Sequence, residues 1–346
     1  MSNKNYFHEI PIVRSIACLL VVMVHVTAVN YSSKSGFFDS FSLYLNQFSR
    51  LGTPVFAVIS GFLLFNSVKN KGFFFKKFIY SRTTKIVLPF IIWSSVYLGL
   101  KIYAGQSINT EWRSFLDYFI LGTSYYHLYF IITVIQFYLL FPLLQLSRKK
   151  WSISLLFLIS IPLNYIWLNK MYTSINFGQL QYIIKHRSFI LNSISFFMFG
   201  AVLAYDFDSI MKFCKKYYML LVGVFVFCLI LIYHEIKPSV LLNSSRIENL
   251  FYIPIFVLFL LGMSRFILKV PLLGNVMTLI GNYSMGIYLV HPLVIFFARD
   301  YIPSTFWEPQ LLIVTFSIVV VFSITLVKLI SYLPKSNYII TIPTKK

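Results

Sequence analysis

Long apolar runs recur from one end of this chain to the other, and no stretch between them is long enough to fold as a separate water-soluble domain. Ten runs can be drawn, over residues 10–30, 49–68, 86–104, 126–146, 152–168, 188–205, 217–233, 249–268, 276–298 and 309–333. Each is of the length that a hydrocarbon core about 30 Å thick requires of a helix. The runs are unbroken and lack period-two alternation, so they predict helices and not a barrel. With 58% hydrophobic and only 12% charged residues over 346 positions, the expectation is an all-α, polytopic integral membrane protein of about ten transmembrane helices. It forms one domain over residues 1–346.

The formal net charge of +20 would suggest a nucleic-acid partner in a soluble protein. Here no aromatic-basic recognition module accompanies it, and no nucleic acid is expected. The charge instead sorts by side. Lys69, Lys71, Lys76, Lys77, Arg82 and Lys85 fall in loop 67–85; Arg148, Lys149 and Lys150 in loop 147–151; Lys212, Lys215 and Lys216 in loop 206–216. Arg265, Lys269 and the terminal Lys4, Lys335, Lys345 and Lys346 add to that side. The opposite side carries half as many: Lys34, Arg50, Arg113, Lys170, Lys185, Arg187, Lys237, Arg246 and Arg299. The positive-inside rule therefore puts both termini in the cytoplasm. Cys18, Cys214 and Cys228 form neither a ligand spacing nor a disulfide framework and read as small apolar fillers; no metal site is expected. The first apolar run continues into polar residues without a small-residue cleavage site, so no cleaved signal peptide is expected.

Against this apolar background a few residues are expensive. Arg14 and His25 share the first span. Eleven residues at about 100° each leave them about 20° apart on one face and about 16 Å apart along the axis. Arg14 falls near the cytoplasmic end and His25 deep, toward the far leaflet. His127 opens the fourth span, and His291 lies about two-thirds of the way along the ninth, followed by Pro292, which should loosen the helix and free backbone groups. Tyr288 is one turn before His291 on the same face. Three histidines thus share a depth. Ionisable groups in a span are functional candidates, but each has a plain reading too: a helix-to-helix hydrogen bond for His25 or His291, and interfacial anchoring for His127 beside Tyr125 and Tyr126. Thr53-Pro54 and Ser60-Gly61 in the second span read equally as a kink or as close packing. Arg82 and Lys85 suit a phosphate or a positive-inside anchor, and Glu9 stands where it can pair with Arg14. His8, His186 and His234 lie outside the spans and are given no role.

In this order the motifs resemble the acyltransferase-3 family of bacterial membrane acyltransferases. Arg14 and His25, with ten residues between them, match its first-span pair; Ser60, Gly61 and Phe62 match a serine-glycine-phenylalanine run; Arg82, Lys85 and Pro89 match a basic pair followed by proline. His127, Leu128 and Tyr129 stand where the family has histidine-leucine-tryptophan, a mild departure. Ser284, Tyr288, His291 and Pro292 match its last motif. The likeness covers residues 10–333 and is nearest in kind to enzymes that O-acetylate surface polysaccharides, with members that export or succinylate polysaccharide also similar.

The resemblance implies an O-acyltransferase in the bacterial plasma (inner) membrane, moving an acyl group, most often acetyl, from cytoplasmic acyl-CoA to a hydroxyl of a surface glycan. Acyl-CoA is then a co-substrate, with no permanently bound cofactor, and no further extracytoplasmic domain is expected. Arg14, Arg82 and Lys85 would hold CoA phosphates. His25 would be general base or transient acyl carrier, His127 and His291 would orient the acceptor or relay a proton, and Tyr288 would donate to an oxyanion. The competing expectation is an exporter or flippase for polysaccharide or a lipid-linked glycan, without covalent chemistry.

Overall fold

The computed structural model describes residues 7–33, 39–146, 149–171, 175–237 and 242–341. Lys4, Lys34, Arg148, Lys345 and Lys346, which entered the charge comparison above, lie outside them. Among the described residues nine helices are long and apolar enough to cross a membrane, and Tyr129–Leu144 is a shorter apolar helix. Every expected span has a helix in its place.

In chain order the α-helices are α1 (Glu9–Ser33), α2 (Ser40–Ser49), α3 (Gly52–Lys71), α4 (Phe75–Arg82), α5 (Leu88–Tyr103), α6 (Trp112–Ile120), α7 (Tyr129–Leu144), α8 (Lys150–Leu168) and α9 (Gln181–Ile184). They continue with α10 (Ile194–Lys216), α11 (Tyr218–Glu235), α12 (Asn249–Lys269), α13 (Pro271–Tyr301) and α14 (Leu312–Ser331). The first helix is the hub: α1 packs on α2, α3, α12, α13 and α14.

Two seams bring backbone onto backbone. A Cβ on Gly61 would lie 2.0 Å from the Phe197 carbonyl oxygen, and one on Gly200 would lie 2.0 Å from that of Val58. This reciprocal contact locks α3 against α10. A Cβ on Gly281 would meet the Pro11 oxygen at 2.0 Å, which does the same for α13 and α1. Small residues permit such approach where lipid supplies no hydrophobic drive between helices. Close packing is thus the structural part of Gly61 in the Ser60-Gly61-Phe62 run.

Three boundaries differ from expectation. Residues 206–216, read as a loop, continue α10 past a kink at Asp206 (φ −115°, ψ 19°), and Lys150 forms an ion pair with that aspartate. The kink thereby joins the two basic segments that the charge count had placed on one side. The span drawn over 49–68 is preceded by α2, whose start is capped by the Asp39 side chain accepting from the Ser42 N–H. The span drawn from 188 becomes helical only at Ile194, after a 3₁₀ turn over Ile190–Asn192.

Proline explains one local departure from α-geometry. Between α4 and α5 the chain widens into a π-helical turn, Thr83–Val87. Pro89 has no N–H for the Lys85 carbonyl, and its ring crowds that group. The Thr341 hydroxyl donates to the Lys85 oxygen instead. The widened turn sets Lys85 beside Arg82.

Candidate functional site

Helix α1 contributes to two cavities among the described residues. His25 and Arg14 open into different ones, as their separation of about three turns along one face requires.

The larger, a cleft of about 610 Å³, is lined by His25, Tyr125, Tyr126, His127, Tyr129 and Tyr288, with Thr53, Asn243 and Ser244, and by Arg50, Arg187 and Arg299. The three histidines that shared only a depth in the sequence meet here in space. The His25 and His291 rings stack at 5.3 Å between centroids, and His127 and His291 meet edge-on at 5.5 Å. Tyr126 lies 4.5 Å from the His25 ring, and Tyr97 packs 5.2 Å from His127.

Their roles separate by position. His25 faces the cleft. His291 is fully buried and does not line it. Its Nδ1 is 2.9 Å from the Ile287 carbonyl oxygen. A carbonyl can only accept, so Nδ1 carries the proton and, in the neutral ring, Nε2 carries the lone pair. His291 therefore supports the other two rings from behind. Pro292, which follows it, does not break α13. The Leu289 carbonyl one turn above takes the Tyr97 hydroxyl at 2.6 Å.

His127 departs from the interfacial reading. It is 1% exposed, ringed by Tyr97, Tyr125, Tyr126 and Tyr288, and neither ring nitrogen has a hydrogen-bond partner among the described residues. It sits on a non-helical loop that turns at Gly122 (φ 70°) before α7 begins. Irregular backbone among membrane helices is tolerated where it lines a cavity. The Tyr288 hydroxyl, expected to serve an oxyanion, here donates to the His127 backbone carbonyl and so fixes that loop.

The smaller cavity, about 210 Å³, is lined by Arg14, Arg82 and Lys85 at its polar end and by Phe56, Ile59, Leu63, Phe130, Ile131, Val134 and Met285 along apolar walls. Ser60 and Ser284 of the sequence motifs also line it. The Arg82 guanidinium stacks over Phe78 and Tyr138, 5.5 and 5.2 Å from their centroids. Beyond Arg82 and Lys85 a further cavity of about 310 Å³ adds Lys71 and Lys77. The result is a narrow apolar slot ending in a cluster of cations.

Tyr288 is in the wall of both the cleft and the slot. It is 5% exposed, held by the His127 loop and packed against Phe56 and Phe130 at 6.2 and 6.4 Å, where a partition between the two would stand. The histidines that the sequence grouped by depth lie together in the structure, and Arg14, Arg82 and Lys85 line one cavity. Sequence reasoning missed Arg50, Arg187 and Arg299 as cleft residues, having counted them only as charges on one side. Their nearness to the ends of apolar runs on the histidine side was the one available signal.

Comparison with known proteins follows the same lines. The sequence model of the acyltransferase-3 family, described as an acyltransferase domain, matches residues 7–332. A relative from Staphylococcus aureus (strain MRSA252) is 21% identical over 300 residues, covering 83% of this chain and 82% of that protein. One from Staphylococcus epidermidis is 22% identical over 299 residues, covering 83% and 81%. Both are named "Probable poly-beta-1,6-N-acetyl-D-glucosamine export protein". No solved structure matches.

Proposed function

The chain belongs to the acyltransferase-3 family of multi-pass membrane acyltransferases, and on that premise we propose that it moves an acetyl group from acetyl-CoA to a hydroxyl of a cell-surface glycan across the Tyr288 partition. The observation that carries this reading is that Tyr288 lines both a cavity holding Arg14, Arg82 and Lys85 and the histidine-lined cleft.

The slot suits a long, thin donor with phosphates at one end. Arg14, Arg82 and Lys85 take the phosphates as charge-assisted donors, and the apolar walls take the arm that carries the thioester. With both termini in the cytoplasm, as the charge distribution favours, the slot opens to the compartment where acyl-CoA is made, and the cleft opens to the outer face of the plasma membrane. A glycan acceptor is supported by the relatives' names, and the tyrosines of the cleft offer rigid faces with polar tips of the kind that seat such ligands.

In the cleft the His25 imidazole takes the proton from the acceptor hydroxyl as its oxygen attacks the thioester carbonyl. The tetrahedral intermediate collapses, the carbon–sulfur bond breaks, and the thiolate of CoA recovers the proton from His25. The products are an ester on the glycan and free CoA. His127 lines the same cleft, and its unpartnered nitrogen can donate to the developing oxyanion. Tyr288, its hydroxyl held by the His127 carbonyl, positions that group and does not itself meet the oxyanion.

The relatives' names favour a second reading, glycan export without covalent change. Membranes containing this chain, radiolabelled acetyl-CoA and host glycan separate the two. Base-labile label on polysaccharide, lost with His25→Ala, supports transfer. Glycan movement with no label from any acyl-CoA supports export and sinks the transferase reading.

A further inference from the structure

The histidine cleft carries three guanidinium groups, and among the described residues that line it none is acidic. Arg50 comes from the α2–α3 junction, Arg187 from the segment after α9, and Arg299 from the last turn of α13. Three separate elements therefore bring like charges to one concave surface, where low-dielectric walls strengthen their mutual repulsion. An anion seated among them would offset that repulsion.

Among the described residues the neighbours do not supply one. Arg50 donates from Nε to the neutral Asn46 Oδ1 at 3.1 Å. Arg187 donates to the Tyr126 backbone carbonyl at 3.2 Å and lies over the Tyr129 ring at 4.3 Å. Each guanidinium has five N–H donors, so most face outward from these contacts. The ion pairs among the described residues are Lys150 with Asp206 and Arg246 with Glu235, and none involves the three cleft arginines. Asp117 acts on the neighbouring His186 and does not line the cleft. Arg246, which does have its carboxylate, does not line the cleft either.

Position indicates what the anion belongs to. Tyr126 links Arg187 to the reacting ring, since its carbonyl takes the guanidinium and its own ring packs on His25 at 4.5 Å. Arg299 is exposed, two turns beyond His291 and away from the slot. An acid on the small group delivered from the slot would reach the neighbourhood of His25 but not this outer arginine. A ligand entering from the cleft mouth meets Arg299 on its way in and Arg187 beside His25.

We propose that the acceptor is an anionic saccharide, bearing a carboxylate or phosphate within one or two sugar units of the hydroxyl that is acylated. This rests on the acceptor-cleft assignment above and goes beyond it by excluding uncharged and amine-bearing glycans as preferred ligands. Planar guanidinium forks match carboxylate and phosphate oxygens in pairs, so the three arginines fix both the charge and the register of the sugar.

The test is equilibrium binding to the full-length protein in lipid nanodiscs, which needs no turnover. The probes are a fluorescent tetrasaccharide containing glucuronic acid, its carboxyl-reduced twin, a glycerol-phosphate oligomer and a β-1,6-linked N-acetylglucosamine oligomer. The acidic tetrasaccharide should bind roughly tenfold or more tighter than its reduced twin, and that advantage should shrink with added salt. A preference for the glycerol-phosphate oligomer over the tetrasaccharide assigns phosphate as the source of the charge. Arg50→Gln and Arg299→Gln should each remove most of the advantage while leaving the weak binding of the reduced twin in place, which also shows that the variants are folded.

Equal binding of acidic and neutral probes, or tighter binding of the N-acetylglucosamine oligomer, overturns the proposal. So does an arginine-dependent preference for a dicarboxylic over an acetyl donor in the transfer assay with no acceptor effect, since the anion then belongs to the acyl group. Acyl transfer to a neutral glycan with no charge preference defeats this inference alone. Anion-selective binding with no transfer from any acyl-CoA defeats the transferase reading alone.

Discussion

The slot and the cleft each hold three side chains of fixed positive charge, Arg14, Arg82 and Lys85 in one and Arg50, Arg187 and Arg299 in the other, yet only the cleft holds imidazoles. Guanidinium and ammonium groups keep their protons at neutral pH and can only bind and orient. An imidazole can give and take one. On the proposed function, that difference leaves recognition to both cavities and proton transfer to one. On the transfer proposed above, a single shared tyrosine lets the reacting carbonyl cross while the charged ends of the two ligands stay apart.

The largest effect expected is at the group that makes the cavities unlike. His25→Ala should lower turnover by about 10²–10⁴-fold while equilibrium binding of CoA to the slot is unchanged. A variant that loses CoA binding as well would mean that the two regions are not separable. Tyr288→Ala removes the partition. Acyl-CoA should then be hydrolysed without acceptor, measured as free CoA release from the purified protein, whereas Tyr288→Phe keeps the ring and should leak less. If Tyr288→Ala leaves hydrolysis at background, the cavities are walled by something else.

Arg82→Gln and Lys85→Gln probe the slot alone. Each should raise the KM for acyl-CoA roughly tenfold with little change in kcat, the pattern of lost uniform binding. A fall in kcat with unchanged KM would move these residues to the chemistry and erase the contrast with the cleft.

The smallest effect concerns the segment that carries Arg187. His186 Nδ1 accepts from the Ser188 N–H at 3.2 Å and sits 2.7 Å from its hydroxyl, so protonation there breaks the turn. Burial holds this histidine below its ordinary value, with Arg187 adding to that and Asp117 opposing it. A depressed pKa means the neutral ring stabilises the fold above the unfolded value of about 6.5. That contribution falls as pH drops below it, and levels off once the native ring also protonates. Protection of residues 185–192 from proteolysis should therefore weaken from pH 7 to pH 5, and His186→Gln should flatten the profile. A pH-independent profile in the native protein would remove His186 from this account.

Much of this arrangement was legible before any coordinates. The ten spans follow from run length, and the Arg14–His25 face from helical geometry. Pro89 entered only as part of the basic-pair motif, and the widened turn near Lys85 came from the structure. What stayed hidden depends on long-range packing. His127 looks interfacial in one dimension because it precedes an apolar run; only the turn at Gly122 and the Tyr288 hydrogen bond show that its loop folds inward. Arg50, Arg187 and Arg299 are far apart in the chain, and nothing local states that three separate elements meet at one cleft. The Tyr288 hydroxyl looked available for catalysis because its acceptor is a backbone oxygen 161 residues away.

The glycine seams between α3 and α10 and between α13 and α1 have a bearing on how anything passes through this molecule. Rocking one half of a transporter against the other requires helices to slide or tilt across their contacts. Here the two contacts nearest the cavities are carbonyl oxygens seated where a methyl group could not fit. Such contacts have no compliant side chain to absorb a shift. Around these seams adjustment is left to side chains while the backbone stands still. The seams thus hold the two cavities in a fixed frame, which suits the transfer proposed above better than the rocking by which transporters move a substrate.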